Sequence, residues 1–231
     1  ALQYHSSDRP QAERLLRLIA DIEPISREDV EVIIVRRFDS EPITEAMIYA
    51  ASKFKVSVFT THTPWKGWPA GANGMVKDFL QYSLREFFDP LTRKSDGILL
   101  IEPDCVPCSS TWLDLLAAEW AVALSQDKWA MGSWRNSGCP GGHLNGNMIV
   151  IPDLAARLSL DYIGQDLAWD VAIARSLMPH AHITGLIKNA FQTKNATEYE
   201  MRTPEIGTTP PVLYHGCKDD SAFNLARKWT L

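Results

Sequence analysis

Apolar residues recur along this chain in two rhythms. Short runs, Val32-Ile33-Ile34-Val35, Val56-Ser57-Val58-Phe59 and Gly97-Ile98-Leu99-Leu100-Ile101, are bounded by charged or turn-forming residues and read as buried strands. Around them, helical spacings mark residues 10–22, residues 42–53 and a segment from about 73, where Met75, Phe79, Tyr82 and Phe87 share a face. Another helix follows Thr111: Trp112, Leu115, Leu116, Trp120 and Ala123 form its buried stripe, and Asp114 completes a capping pattern. Residues 128–132 and 147–151 read as further strands. Strands alternating with helices of this length predict an α/β fold, a Rossmann-like, mostly parallel sheet with helices on both faces. Ligands of such sheets lie beyond the carboxyl ends of the strands, which singles out the loops at 36–41, 60–74 and 102–109.

A chain of 231 residues, 45% of them hydrophobic, buries a real core, as one large domain or two small ones. No repeat or linker divides it. The net charge of −5 argues against a general nucleic-acid coat or a polybasic membrane binder. Lys53, Lys55, Lys66, Arg93 and Lys94 are either a local basic surface or a solvated face. The longest nearly uninterrupted apolar stretch, 115–124, contains Glu119 and falls far short of the roughly 20 residues of a bilayer span. No membrane insertion is expected, and the expected location is the cytoplasm, or a host's cytoplasm for a viral protein. Cys105-x-x-Cys108 has zinc-like spacing, which Cys139 and Cys217 would complete. Four reduced thiols of a cytoplasmic enzyme are the alternative.

Two carboxylates around one residue, Glu102-Pro103-Asp104, end the third apolar run. Near a core they need a partner or a cation. A divalent cation such as Mn²⁺ or Mg²⁺ takes such oxygen ligands and bridges them to a diphosphate; a helix cap or solvated turn is the alternative. The segment 97–107 resembles the Asp-x-Asp element of GT-A-fold glycosyltransferases. Three later segments are similar, in order, to elements of the retaining galactosyltransferase and glycogenin type. His143-Leu144-Asn145-Gly146-Asn147-Met148-Ile149-Val150 resembles its Asn-Ser-Gly strand. Gly164-Gln165-Asp166 resembles its Asp-Gln-Asp element with glycine in first place, and Tyr214-His215-Gly216-Cys217-Lys218 resembles its late His-Gly-Lys element.

The resemblance implies one GT-A domain over residues 1–231. Its parts are an N-terminal helical extension (1–29), a nucleotide-binding half (30–110), and an acceptor half carrying a C-terminal metal and diphosphate segment (111–231). It implies Glu102, Asp104 and His215 as ligands of Mn²⁺ or Mg²⁺, Gly216 and Lys218 at the diphosphate, and Asn145 at the donor sugar. Gln165 and Asp166 are the candidates beside the anomeric carbon. Retention is favoured; for inversion the general base is Asp166 or Asp170. By position, Asn73 and Lys77 contact the donor, and Arg36, Phe38 and Asp39 hold base and ribose. Trp65 and Trp68 stack on a sugar or base, or close the edge of the core. Simpler readings remain: His215 as a turn residue, Asp166 and Asp170 in the first turn of a helix, Asn145-Gly146 as a hairpin turn.

The expected activity is metal-dependent transfer from a nucleotide-sugar, a UDP-sugar foremost, to a hydroxyl of a glycan, a small molecule or a hydroxylated base in DNA. The alternatives are a sugar-nucleotide nucleotidyltransferase and a non-catalytic carbohydrate- or nucleic-acid-binding module on the same fold.

Overall fold

The computed structural model describes residues 1–88 and 95–230. Its first half runs β1 (Leu2–Tyr4), α1 (Arg9–Ile22), β2 (Arg27–Arg37), α2 (Thr44–Ala50), β3 (Phe54–Thr61), α3 (Ala70–Glu86), β4 (Ile98–Leu100), β5 (Cys105–Pro107) and α4 (Trp112–Ser125). The second half runs β6 (Ala130–Arg135), β7 (His143–Val150), α5 (Leu154–Arg157), α6 (Trp169–Ala172), α7 (Ala174–Leu177), β8 (Ala181–Ile183), β9 (Ile187–Thr193), α8 (Glu198–Arg202), β10 (Leu213–Cys217) and α9 (Ser221–Thr230).

β1, β2 and β3 pair in parallel. Leu2 bridges Ile101 in parallel, the Gln3 amide donating to the Ile101 carbonyl at 3.1 Å, so the sheet passes from β1 to β4. It continues through β7 and β6 to β8, giving the order β3-β2-β1-β4-β7-β6-β8. Only β7 runs against the rest among these strands. The period of two sorts the side chains. Tyr4, Ile34, Arg36, Val58 and Thr60 face Thr44 and Met47 of α2, whereas Gln3 and Val35 face Val76 and Phe79 of α3. A second, small sheet, β5-β10-β9, sets β10 antiparallel to β5 and parallel to β9.

Several expectations change on contact with the structure. The N-terminal segment, expected to form a helical extension, carries α1, and ahead of that helix it also holds β1, seated between β2 and β4. Three residues are too short a run for periodicity to separate from coil. β2 extends to eleven residues because its terminal charges are paired: Arg27 with Asp29 and Asp114, Arg37 with Asp39. Asp114 is thereby drawn to Arg27, and Thr111 makes no side-chain cap. Asn145-Gly146 is not a hairpin turn; it lies within β7, paired on both sides by β4 and β6 further along the strand. Arg93 and Lys94 lie outside the described residues. Lys55 pairs with Glu31 at 2.7 Å rather than joining a basic surface. No helix among the described residues is long and apolar enough to cross a membrane.

Candidate functional site

The acidic pair stands where the chain leaves one sheet for the other. After β4 a turn, closed by the Cys105 amide donating to the Glu102 carbonyl at 3.1 Å, delivers the backbone into β5. β10 lies beside β5 with His215 opposite Cys105. That register brings His215 Nε2 within 2.9 Å of Glu102 Oε2 and 3.2 Å of Asp104 Oδ1. Lys218 Nζ donates to the other Asp104 oxygen. Gly216, between them, has φ +97°, a left-handed conformation that disfavours any side chain. The β9–β10 register shifts between His215 and Cys217, and the break lets the imidazole and, three residues on, the ammonium converge on one carboxylate.

Asp104 is 5% exposed and His215 7%. Burial alone would raise the Asp104 carboxyl, but hydrogen bonds and charge from His215, with those from Lys218, hold it down to about 2. Burial would likewise lower His215, and the two carboxylates instead lift it to about 9. Burial also disfavours the Lys218 ammonium; Asp104 overrides this and raises it. The electrostatic demand of the acidic turn is therefore met here by a proton on His215 and by Lys218. One ligand atom from each of Glu102, Asp104 and His215 lies within 4.8 Å of the others, and no cysteine belongs to this group. Two carboxylate oxygens and one imidazole nitrogen fit Mn²⁺, and Mg²⁺ less closely. The zinc reading of the thiols finds no support among the described residues: burial raises Cys108 to about 12, and the Cys105 thiol donates to Asn147 Oδ1 at 2.9 Å.

Residues that sequence reasoning passed over hold this cluster. Asn147, fully buried, accepts from the Glu102 amide at 2.7 Å as well as from Cys105, fastening both ends of the acidic turn to β7. Its own amide group donates to Asn145 Oδ1 at 2.9 Å, which leaves the half-buried Asn145 Nδ2 without a partner among the described residues. Asn189 Oδ1 lies 2.6 Å from His215 Nδ1, so that Nδ1 donates and Nε2 faces the carboxylates. Asp8, in the turn after β1, adds to the negative field at Lys218, and Ser6 beside it bonds Ser40 across the strand ends. Asn147 stood two places from a noted asparagine; Asn189 carried no signal at all.

The remaining candidates divide. Asp170, at the start of α6, is 8% exposed and accepts from the amides of Gly146 and Val171. Its Oδ2 is 3.7 Å from His143 Nε2. Burial raises its carboxyl, with His143 opposing and the Glu102 charge adding to the rise. Gly146 is bare for a reason: a Cβ there would come 3.3 Å from the Trp169 indole nitrogen. Gln165 and Asp166 sit exposed on the loop before α6 and outside any helical turn. Asn73 departs from expectation. It is 1% exposed, and its side chain is spent on the backbone of 164–169, leaving it no free donor for a ligand. Lys77 reaches Asp161 at 3.9 Å. Asp39 is held by the buried Arg37, whose guanidinium also binds the Trp65 carbonyl, and Phe38 stacks on His62. Arg36 lines a cavity of about 320 Å³ with Tyr4, Ile43, Met47 and Thr60, its Nε buried without a partner. Trp68 is 82% exposed, so it does not close the core.

No family model matches the sequence, and no curated protein matches it. Solved structures match in fold. The galactosyltransferase LgtC, in complex with donor and acceptor sugar analogs, is similar with a TM-score of 0.56 at 12% identity, over 100% of this chain and 95% of that one. Apo mouse xyloside xylosyltransferase 1 is similar with a TM-score of 0.53 at 11% identity, over 93% and 96%. The apo bifunctional glycosyltransferase WbbM is similar with a TM-score of 0.59 at 11% identity, over 93% of this chain but 44% of that one, so the chain spans less than half of WbbM. The fold is the one these glycosyltransferases share, the GT-A arrangement.

Proposed function

We propose that this chain is a metal-dependent glycosyltransferase that moves a sugar from a nucleoside-diphosphate donor, a UDP-sugar foremost, to a hydroxyl acceptor. The observation that carries the reading is the convergence of Glu102, Asp104 and His215 around one point, with Lys218 on the far oxygen of Asp104. A divalent cation held by those three residues supplies Lewis-acid stabilisation of the departing diphosphate. Lys218 offers the diphosphate a mobile point charge by exchanging Asp104 for a phosphate oxygen. The cavity at Arg36 takes the base, and Ser6 and Asp8 follow Tyr4 of its lining in the chain. Phe38 and Asp39 follow Arg36 in the chain and are the proposed contacts to base and ribose beyond that cavity.

Asn145 Nδ2 is directed to the donor sugar. Gln165 and Asp166 flank the anomeric carbon from the loop, retention being favoured. Asp170, raised by burial, is the proton acceptor if the outcome is inversion. The acceptor is a glycan or a hydroxylated base in DNA, with Trp68 as an exposed stacking surface for either. Calorimetric titration with Mn²⁺ and then UDP tests the reading. Wild type should bind both, the UDP more tightly once Mn²⁺ is present, and Asp104→Ala should lose the synergy. Mn²⁺ binding unaffected by Asp104→Ala and His215→Ala would sink it.

A further inference from the structure

One buried side chain holds the whole acceptor-side loop. Asn73 stands in the first turn of α3, where the helix runs close to the preceding loop: a Cβ on the neighbouring Gly74 would come 2.1 Å from Thr63 Oγ1. From there Asn73 Nδ2 donates to the Gly164 carbonyl at 2.8 Å and to the Leu167 carbonyl at 2.7 Å. Its Oδ1 accepts from the Trp169 amide at 2.9 Å. Both amide protons are used, and the two donors and the acceptor meet a single stretch more than ninety residues away. Gly164 and Leu167 bracket Gln165 and Asp166, and Trp169 is the first residue of α6, immediately before Asp170.

We infer that Asn73 is a positioning residue, acting through the 164–169 backbone to hold Gln165, Asp166 and Asp170 at the site. The inference rests on the glycosyltransferase reading for what those three residues do, but not for the clamp itself. α6 has four residues and α7 four, too short to be stable by their own hydrogen bonds, so the position of Asp170 depends on tertiary anchors. Trp169 is one anchor, its indole lying against Gly146. The contact of the Asp170 carboxylate with His143 at 3.7 Å is a second, and Asn73 is a third, the one that reaches across to the loop. A shift of about 1 Å in such groups lowers a rate by roughly 100-fold.

Two variants separate the clamp from a donor contact. Asn73→Asp keeps an acceptor for the Trp169 amide but replaces both donors with oxygen facing two carbonyls; Asn73→Ala removes all three bonds. Amide hydrogen exchange, which needs no activity, should accelerate at least tenfold at the hydrogen-bonded amides of Trp169 and residues 171–173 in Asn73→Ala, and at 171–173 in Asn73→Asp, and stay at the wild-type rate in β2. Mn²⁺ and UDP affinities should hold. With the nucleotide-sugar that wild type turns over, kcat should fall roughly 100-fold at an unchanged donor KM. Wild-type exchange at Trp169 and at 171–173 in Asn73→Ala overturns the clamp, and so does a raised donor KM with kcat intact, which would return Asn73 to the role of a donor ligand. If wild type turns over no nucleotide-sugar, the enzymatic reading fails while the exchange result still decides the clamp.

Discussion

The two sides of the candidate site are built on opposite plans. The acidic side rests on strands. Glu102 and Asp104 are delivered by β4 and β5, His215 by β10, and each is tied twice or more, to one another and to Asn147, Asn189 or Lys218. The loop side, residues 164–170, rests on two single-turn helices and exposes Gln165 and Asp166. Charge explains the difference. Asp104 and His215 are buried charges, stable only when each has a partner, so the geometry around them is over-determined. The exposed loop has no such charge cluster, and its order comes from outside, through Asn73 and Trp169.

The comparison can be broken first at its strongest point. Asp104→Ala removes the carboxylate shared by His215 and Lys218, and transfer should fall by at least about 10³-fold together with Mn²⁺-dependent UDP binding. Retained UDP synergy in that variant would mean the acidic side is not the cation site. Asp170→Asn strikes the other side: for an inverting enzyme it should lower turnover roughly 10²- to 10³-fold, and for a retaining one far less, while calorimetry finds Mn²⁺ and UDP binding as in wild type in both cases. Loss of both together would show that the two sides are one unit. Asn189→Ala frees His215 Nδ1 and should weaken Mn²⁺ binding about 10- to 100-fold with little change in UDP affinity at saturating metal.

The smallest effect is graded. His215 in the metal-free protein is lifted to about 9, above its ordinary value, so a cation must displace a proton below that pH. Mn²⁺ affinity should therefore rise up to about tenfold per pH unit towards pH 9, then level. The same raised value contributes to the stability of the metal-free fold fully below about pH 6.5 and ceases to as pH approaches 9. Thermal melts in chelator at pH 6 and pH 9 should show the higher midpoint at pH 6, and added Mn²⁺ should raise the midpoint more at pH 9. A pH-independent Mn²⁺ affinity would remove His215 from the ligand set.

The acidic side was legible in the sequence because its signal is chemical. Carboxylates at the end of an apolar run, and a histidine and lysine around a glycine, are unusual enough to stand out. The loop side was less so. Asn73 beside a glycine at a helix start reads the same whether its amide meets a phosphate or a backbone carbonyl, and only the partner ninety residues away decides. Asp166 matched a short motif while Asp170 was equally readable as a helix-start residue; its burial beside His143, which sequence does not display, distinguishes it from the exposed Asp166. β2, β3 and α3 followed from their rhythm, whereas β1 and β10, at three and five residues, depend on neighbours for their pairing.

The break between the two sheets has a consequence in time. His215 lies 113 residues beyond Glu102, and the register that joins them is set by β10 docking on β5. Such a contact is among the most distant in the chain, and loop-closure entropy disfavours it until much of the intervening structure has formed. A growing or partly folded chain that already carries β1 to β7 has its acidic turn but no imidazole and no lysine to face it. On the proposed reading, the cation site is complete only once β10 has docked on β5.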